Sequence, residues 1–275
     1  MSDRMFRFGV VAGQTRSGED WARTARRAVD LGYDTLLIPD TLYTPAPMVT
    51  LATAAAVAPG LRVGTYVLSV ANRTPALVAW EAGTMQVLTG GRFELGLGTG
   101  RPGSDRDAAV LGGTWGTAGD RVRRVAETIA AVRERPEPAP RILIAASGPR
   151  MLRLAAEQAD TIALALLPGT TEDELTATVD TVRKLAGDRF DRLELHLNTV
   201  AVAPTPDAVP EWVSRMIGGA DPRALAAAGG ISFLIGTTAQ IADTLLRRRD
   251  RLGISYVATG ETSMEDLAPV IERLR

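Results

Sequence analysis

The strongest structural signal in this sequence is the stretch Leu88-Thr-Gly-Gly-Arg-Phe-Glu-Leu-Gly-Leu-Gly-Thr-Gly-Arg-Pro-Gly103. A short strand, predicted at 92–97, lies between two groups of glycines. Gly90 and Gly91 are typical of a helix end, and the glycines after the strand remove side chains and permit positive φ. A glycine pattern alone is weak evidence for a ligand. A flat ligand on bare backbone and a corner without a ligand therefore stay open as alternatives.

Seven further apolar segments alternate with helical segments on both sides of this strand. Helix signals include the spacing of Trp21, Ala25 and Ala28 and the helix-opening prolines Pro47 and Pro75. The predicted strands are 6–12, 35–39, 62–69, 92–97, 141–146, 161–166, 193–202 and 254–258. Alternation of this kind predicts parallel strands with right-handed crossovers. Eight units in about 250 residues predict an α/β fold, a (β/α)8 barrel, with an open doubly wound sheet as the alternative.

Composition narrows the classes of function. The chain has 275 residues, with 31 basic and 32 acidic side chains and a net charge of −1. No basic face of the kind that nucleic acid requires is visible. Cysteine is absent and there is one histidine, which excludes disulfides and argues against a metal site. No run of about 18 apolar residues and no signal segment is found, so we expect a cytoplasmic protein of one domain, 1–275, without membrane contact.

Two segments lack periodicity. Residues 101–119 are predicted as a long loop, functional or mobile, in which Trp115 either covers a ligand or anchors the loop. Residues 204–230 are polar and broken by prolines, and they predict short helices. We expect these two segments to determine the substrate.

The active site of a barrel lies at the carboxyl ends of its strands. Asp40 follows the second strand and either transfers a proton or caps the next turn. His196 lies within a strand, in register with Glu194 and Asn198, and we interpret it as a packed histidine. The positions at the predicted strand ends are 13–14, 40–41, 69–73, 98–101, 147–150, 166–167 and 259–261.

The segment Ser147-Gly148-Pro149-Arg150 passes from a strand through a glycine turn into a helix. Free backbone N–H groups and the positive helix end would hold a phosphate there, aided by Arg150 and Arg153. The alternative is a plain serine cap with surface arginines.

Five segments in order carry a family resemblance: Leu31 to Asp40, Leu61 to Thr65, Leu88 to Gly100, Ile144 to Arg150 with Ala159-Asp160, and Ile235 to Ala242 with Leu252 to Val257. Together they resemble the bacterial luciferase-like superfamily of flavin- and deazaflavin-dependent oxidoreductases. Within it, the sequence is most similar to actinobacterial enzymes described as using coenzyme F-420, a deazaflavin. The resemblance covers nearly the whole chain and implies a TIM barrel with the cofactor ring over the strand ends.

The resemblance also implies site residues. Catalytic positions would be Asp40, Asn72 and Asp105, where Asp105 stands in place of a common glutamate. No metal is implied, and the superfamily often forms homodimers. The residues expected to bind the cofactor are Thr65, Ser69, Gly98, Thr99, Gly100, Arg101, Ser147, Gly148, Pro149 and Arg150.

Three departures from the family pattern concern the site. Thr41 and Thr74 replace usual histidines, and Gln86 replaces a usual aspartate. The missing histidines remove acid–base groups, so we expect the catalytic residues to be altered. The segments that match the family imply that the cofactor-binding residues are retained. We expect hydride transfer between reduced F-420 and a small organic substrate. The alternatives are an FMN-dependent monooxygenase that uses O2, and a non-redox biosynthetic enzyme on the same barrel.

Overall fold

Eight parallel strands close into a barrel in the computed structural model, which describes residues 4–275. The described residues form eleven strands in all, of which β4 extends one barrel position and β9 and β10 lie outside the barrel. They are β1 (Arg7–Val11), β2 (Thr35–Ile38), β3 (Arg62–Thr65), β4 (Leu68–Ser69), β5 (Phe93–Gly98), β6 (Arg141–Ala146), β7 (Thr161–Leu164), β8 (Glu194–Thr199), β9 (Ala201–Ala203), β10 (Phe233–Ile235) and β11 (Ile254–Gly260). Around the barrel the order is β1, β2, β3, β5, β6, β7, β8 and β11, which pairs again with β1. The predicted (β/α)8 barrel is therefore confirmed, and the open-sheet alternative is excluded.

Helices surround this barrel and follow its strands. They are α1 (Gly18–Asp30), α2 (Pro47–Val57), α3 (Pro75–Thr89), α4 (Ser104–Val110), α5 (Ala118–Arg133), α6 (Pro149–Gln158), α7 (Glu172–Ala186), α8 (Val213–Met216), α9 (Pro222–Ala227), α10 (Thr238–Leu252) and α11 (Met264–Leu274). Thr171 and Glu174 form a capping box at the start of α7. Within residues 4–275, none of the helices combines the length and apolarity that a bilayer crossing requires.

Three segments differ from the sequence prediction. The third strand is interrupted at Tyr66–Val67, a cis peptide bond, so that β3 and β4 share one barrel position. The predicted seventh strand divides, because β9 leaves the barrel and pairs with β10 in a separate two-stranded sheet that the sequence analysis missed. The prediction of a long loop at 101–119 is wrong for its middle, which forms α4. The short helices predicted within 204–230 are present as α8 and α9.

The main core lies between the barrel and its helices. Alternate strand residues such as Phe8, Val10 and Leu36 point outward and pack against helix residues such as Trp21 and Ala25. Each large apolar side chain that is fully buried there contributes about 1.5–3 kcal/mol. The barrel interior is filled separately, by Leu37, Leu143, Ala163, Tyr256 and Ala258 with a few partly buried neighbours.

The amino-terminal end of the barrel is closed by charged side chains. Arg7 contacts both Glu94 and Glu194, and Arg62 Nε lies 2.6 Å from Glu94 Oε1. Burial alone would raise the pKa of Glu94, but the charges and hydrogen bonds of Arg7 and Arg62 outweigh it and lower that pKa. These ion pairs connect β1 with β5 and β8 across the barrel. They stabilise this end and leave the opposite end open for chemistry.

Candidate functional site

A cavity of about 410 Å³ lies at the carboxyl ends of the barrel strands. This volume falls within the range of about 300–1,000 Å³ that is usual for small-molecule sites. The lining residues are Pro39, Asp40, Thr41, Tyr66, Val67, Ser69, Gly98, Thr99, Gly100, Arg101, Pro102, Ser104, Ala145, Ser147, Met151 and Ala165. A larger and more open groove of about 770 Å³ is lined only by residues between 211 and 223 and contains no strand-end group.

Six of the ten residues that the resemblance assigns to the cofactor line this cavity, namely Ser69, Gly98, Thr99, Gly100, Arg101 and Ser147. Gly148, Pro149 and Arg150 follow Ser147 directly and start α6. Thr65 differs, because its hydroxyl donates to the carbonyl oxygen of Gly96 and accepts from the Gly96 N–H, both at 2.8 Å. Thr65 therefore links β3 to β5 inside the barrel wall and is absent from the cavity lining.

Asp40 organises one side of the cavity. Its Oδ2 accepts hydrogen bonds from the Ser69 N–H at 3.0 Å, from Asn72 Nδ2 at 3.0 Å and from Arg73 Nη1 at 2.7 Å. The Asp40 side chain is only 4% exposed. Arg73 also lies 3.9 Å from Glu81 Oε2, so this cation stands between two carboxylates. Asp40 thereby fixes the turn after β4 against the end of β2.

Two polar atoms on this side are buried and lack a hydrogen-bond partner among residues 4–275: Ser69 Oγ and Asn72 Oδ1. Buried polar atoms are nearly always paired with protein, ordered water or a ligand. The Ser69 side chain lines the cavity, and Asp40 holds its backbone in place. The Ser69 hydroxyl is therefore available to a polar atom of a ligand, whereas Asn72 is not among the lining residues.

Packing inside the barrel wall accounts in part for the glycines in β5. A β-carbon on Gly96 would lie 2.0 Å from the backbone oxygen of Thr65, so the wall leaves no room for a side chain there. A β-carbon on Gly98, at the cavity floor, would lie 2.6 Å from the side chain of Val67. Close packing explains Gly96 without a ligand. Gly98 also lines the cavity, so a flat ligand on bare backbone and a corner without a ligand both stay open there.

Trp115 anchors the loop that borders the cavity. Gly100 has a φ of +86°, and a β-carbon there would lie 2.7 Å from the Trp115 ring. The guanidinium of Arg121 lies 3.9 Å from the ring centroid, a cation–π contact. The Thr114 N–H donates to the Ala71 carbonyl at 3.0 Å. These contacts join the loop to the β4 and β5 ends.

The two aspartates of α4 face different surroundings. Asp105, the predicted catalytic position, is exposed and does not line the cavity. Asp107 is buried, and its Oδ2 lies 3.5 Å from Arg101 Nη2. Sequence reasoning missed Asp107 because it treated the segment as a loop, whereas a helix turns residues two apart toward different sides.

The start of α6 is open to an anion. Gly148 is the N-cap and offers no side chain, and Pro149 is the first helical residue. Backbone N–H groups of the first turn and the positive helix end can therefore meet a phosphate. Arg150 is exposed beside them, while Ser147 and Met151 line the adjoining cavity. No group of three or more His, Cys, Asp and Glu side chains forms a metal site within residues 4–275.

His196 lies in the barrel interior below the cavity. It is fully buried, as expected for a packed histidine. Burial lowers the pKa of His196 to about 3, and the positive charge of Arg7 lowers it further in the same direction. The imidazole is therefore neutral at ordinary pH. Its Nδ1 lies 3.5 Å from the hydroxyl of Tyr66, a cavity-lining residue that the sequence analysis did not select.

Comparisons with known proteins agree with this architecture. The F-420-dependent tetrahydromethanopterin reductase of Methanopyrus kandleri superposes with a TM-score of 0.74 at 15% identity, covering 98% of this chain and 100% of the other. An F-420-dependent secondary alcohol dehydrogenase, solved with an F-420–acetone adduct, gives 0.77 at 16% identity, with 98% and 99% coverage. The long-chain alkane monooxygenase LadA gives 0.77 at 14%, with 99% and 91% coverage. At these identities the likeness shows the fold alone.

No curated protein sequence matches this chain. The profile of one family, described as luciferase-like monooxygenase, does match, over residues 5–135 and 131–263. These two ranges cover every barrel strand up to β11 and all of the cavity-lining residues. The chain therefore belongs to the luciferase-like monooxygenase family.

Proposed function

We propose that this protein is an oxidoreductase that transfers a hydride between reduced coenzyme F-420 and a small organic substrate. The observation that carries the proposal is the combination of a cavity at the strand ends with an uncapped helix start beside it. A flat ring would occupy the cavity, and its phosphate would meet the first turn of α6. When bound, the deazaflavin supplies the carbon that gives or receives the hydride.

The residues of this chain would bind and orient the cofactor. Ser69 and Asn72 hold unpartnered polar atoms at the wall that Asp40 fixes, within the described structure. Arg101 and Arg150 are exposed cations at the cavity mouth and the α6 start. Two positive charges suit the acidic tail of F-420 and favour it over FMN. Asp40, Asn72 and Asp105 remain the proposed catalytic positions, and among them Asp105 is the one whose side chain points to solvent.

The second candidate is an FMN-dependent monooxygenase that uses O2. The description of the matching family favours it. A third candidate, non-redox chemistry on the same barrel, is motivated by Thr41, which lines the cavity where the family usually has histidine. We infer that the cofactor preference separates these three candidates.

Separate titrations of the purified protein with F-420 and with FMN, followed by absorbance and fluorescence, test the proposal. Tight binding of F-420 alone supports hydride transfer and directs the substrate search to ketones, imines and activated alkenes. Tight binding of FMN alone supports the oxygenase. Binding of neither refutes a redox function and leaves the third candidate.

The phosphate position is tested by Arg150→Gln, with Arg26→Gln, an exposed arginine of α1 that does not line the cavity, as the matched control. Loss of one charge-assisted hydrogen bond should weaken binding of a phosphate-bearing cofactor about tenfold. Riboflavin, which has the ring of FMN without its phosphate, should bind both variants equally. If Arg150→Gln weakened riboflavin binding as much as cofactor binding, the effect of Arg150 would concern the ring or the folding of the protein and not the phosphate.

We further propose a homodimer formed through α2 and α3. These neighbouring helices carry apolar residues on all sides, although helices of this kind are normally buried. Val49 is 71% exposed, Trp80 61%, and Val87 and Leu88 are 66% exposed. A second copy of this chain would cover this face, which is too apolar for a solvated surface.

A further inference from the structure

Tyr66 connects the cavity to the only histidine of the chain. It follows β3 at the interruption before β4, and it lines the cavity. Its hydroxyl lies 3.5 Å from Nδ1 of His196, and the two ring centroids are 5.0 Å apart. The ring therefore extends from the cavity floor into the barrel interior.

His196 is held firmly from below. Its ring meets Tyr256 edge to face, with centroids 4.5 Å apart. The guanidinium of Arg7 lies 3.8 Å from the Tyr256 ring centroid, and Arg7 is ion-paired with Glu94 and Glu194. A continuous column of side chains thus runs from the cavity floor to the charged end of the barrel. This column fixes where the Tyr66 hydroxyl can lie.

The protonation states follow from burial. Desolvation lowers the pKa of His196 to about 3, so the imidazole is neutral. A neutral imidazole has one N–H donor and one acceptor nitrogen. Desolvation also raises the pKa of Tyr66, so that the phenol keeps its hydrogen. When Nδ1 carries the imidazole hydrogen, it donates to the phenolic oxygen, and the hydroxyl hydrogen of Tyr66 is free to point elsewhere.

We propose, building on the flavin-type cofactor of the proposed function, that Tyr66 donates a hydrogen bond to a carbonyl oxygen of the bound ring, and that His196 positions it. The direction follows from what surrounds the phenol. Tyr66 packs against the interior cluster, in which the side chains of Leu37, Leu143 and Ala258 carry no polar atom. Because Tyr66 also lines the cavity, a ring carbonyl lying on the cavity floor would supply an acceptor for the phenol hydrogen.

This donor would act together with the unpartnered hydroxyl of Ser69, which also lines the cavity. Asp40 Oδ2 already accepts three hydrogen bonds and, as an acceptor, cannot pair with a ring carbonyl oxygen. A hydroxyl held in position within a water-poor site stabilises negative charge on such an oxygen more effectively than water does. His196 thereby contributes through Tyr66, without contact to the ligand, as a positioning residue.

The single histidine makes the test direct. Protein labelled with 15N-histidine, and produced without a histidine tag, gives one imidazole, whose two nitrogen resonances report the tautomer. We expect a neutral ring with Nδ1 protonated. Saturation with F-420 or FMN, whichever binds by absorbance, should shift the His196 resonances. Tyr66→Phe should abolish that shift and raise the Kd of the cofactor about two- to tenfold.

Tyr43→Phe is the matched control, because Tyr43 is 88% exposed and should change neither the shift nor the Kd. His196→Gln is the second variant, in case Tyr66→Phe fails to fold, and should also weaken cofactor binding. A cofactor that binds without moving the His196 resonances, and with equal Kd for Tyr66→Phe, would overturn the assignment. If neither cofactor binds, the proposed function fails and the assignment fails with it. The ligand-free spectrum of Tyr66→Phe then still reports whether Tyr66 contacts His196.

Discussion

Replacing Asp40 by asparagine should destabilise the protein strongly, although the two side chains have the same shape. The carboxylate is 4% exposed and accepts three hydrogen bonds on one oxygen, one of them from Arg73 at 2.7 Å. Removing one partner of a buried ion pair costs about 3–5 kcal/mol, because the other charge is left uncompensated. Arg73 keeps Glu81 at 3.9 Å, so the expected loss lies near about 3 kcal/mol.

The assay is urea-induced unfolding at pH 7, followed by circular dichroism. Asp105→Asn is the matched control, since the exposed Asp105 should change the free energy of unfolding by less than about 0.5 kcal/mol. The double variant Asp40→Asn with Arg73→Gln should lose less than the sum of the single variants, because the two residues interact. A free energy of unfolding for Asp40→Asn that equals the control value would refute this account of the cavity wall.

Three further predictions follow from other contacts. Unfolded His196 binds a proton below its ordinary pKa of 6.5 while folded His196 does so only near 3. The free energy of unfolding should therefore fall as the pH drops from 6.5 toward 3, by up to about 1.4 kcal/mol per pH unit, and His196→Asn should flatten this slope in urea titrations. Gly96→Ala should lower the free energy of unfolding by about 3 kcal/mol or more, because its β-carbon would lie 2.0 Å from a backbone oxygen. Gly148→Ala is the control, with no atom within 4 Å of its β-carbon, and should lower the free energy of unfolding by about 1 kcal/mol or less. Equal losses would contradict the packing argument. Trp80→Glu should convert the proposed dimer to a monomer in sedimentation velocity. Leu167→Glu should leave the dimer intact, because Leu167 is 79% exposed but lies outside α2 and α3. An unchanged sedimentation coefficient for Trp80→Glu would exclude this interface.

The barrel could be predicted from the sequence because its signals are local. Each strand is a short apolar run, and prolines and glycines mark the helix boundaries, as at Pro75 and Gly90. The helix α4 was missed because seven residues, Ser104 to Val110, are too few to show a periodic pattern. The strand β10 was missed because its three residues pair with β9, whose register partners lie 32 positions earlier in the chain. Short elements of this kind depend on tertiary contacts.

The site was predicted only in part, because some of its residues follow from local strand signals and others depend on tertiary contacts. Ser69, Gly98 and Ser147 were found because strand ends meet at one end of any such barrel. The role of Asp40 as an anchor was not decided, since its three donors come from a separate turn. Tyr66 was not selected because the interruption between β3 and β4 hides which side its ring takes. The alternation of residues along β8 did predict correctly that His196 and Glu194 share one face of the strand.

The pairing of β1 with β11 has a consequence for how the chain is made. Tyr256 covers Gly9, and the charge of Arg7 is balanced by Glu194 as well as Glu94. Residues 7 and 256 are 249 positions apart, and they are register partners. During synthesis, the edge of β1 that pairs with β11 therefore stays unpaired until residues 254–260 have left the ribosome. Final closure of the barrel is thus a late event with high contact order.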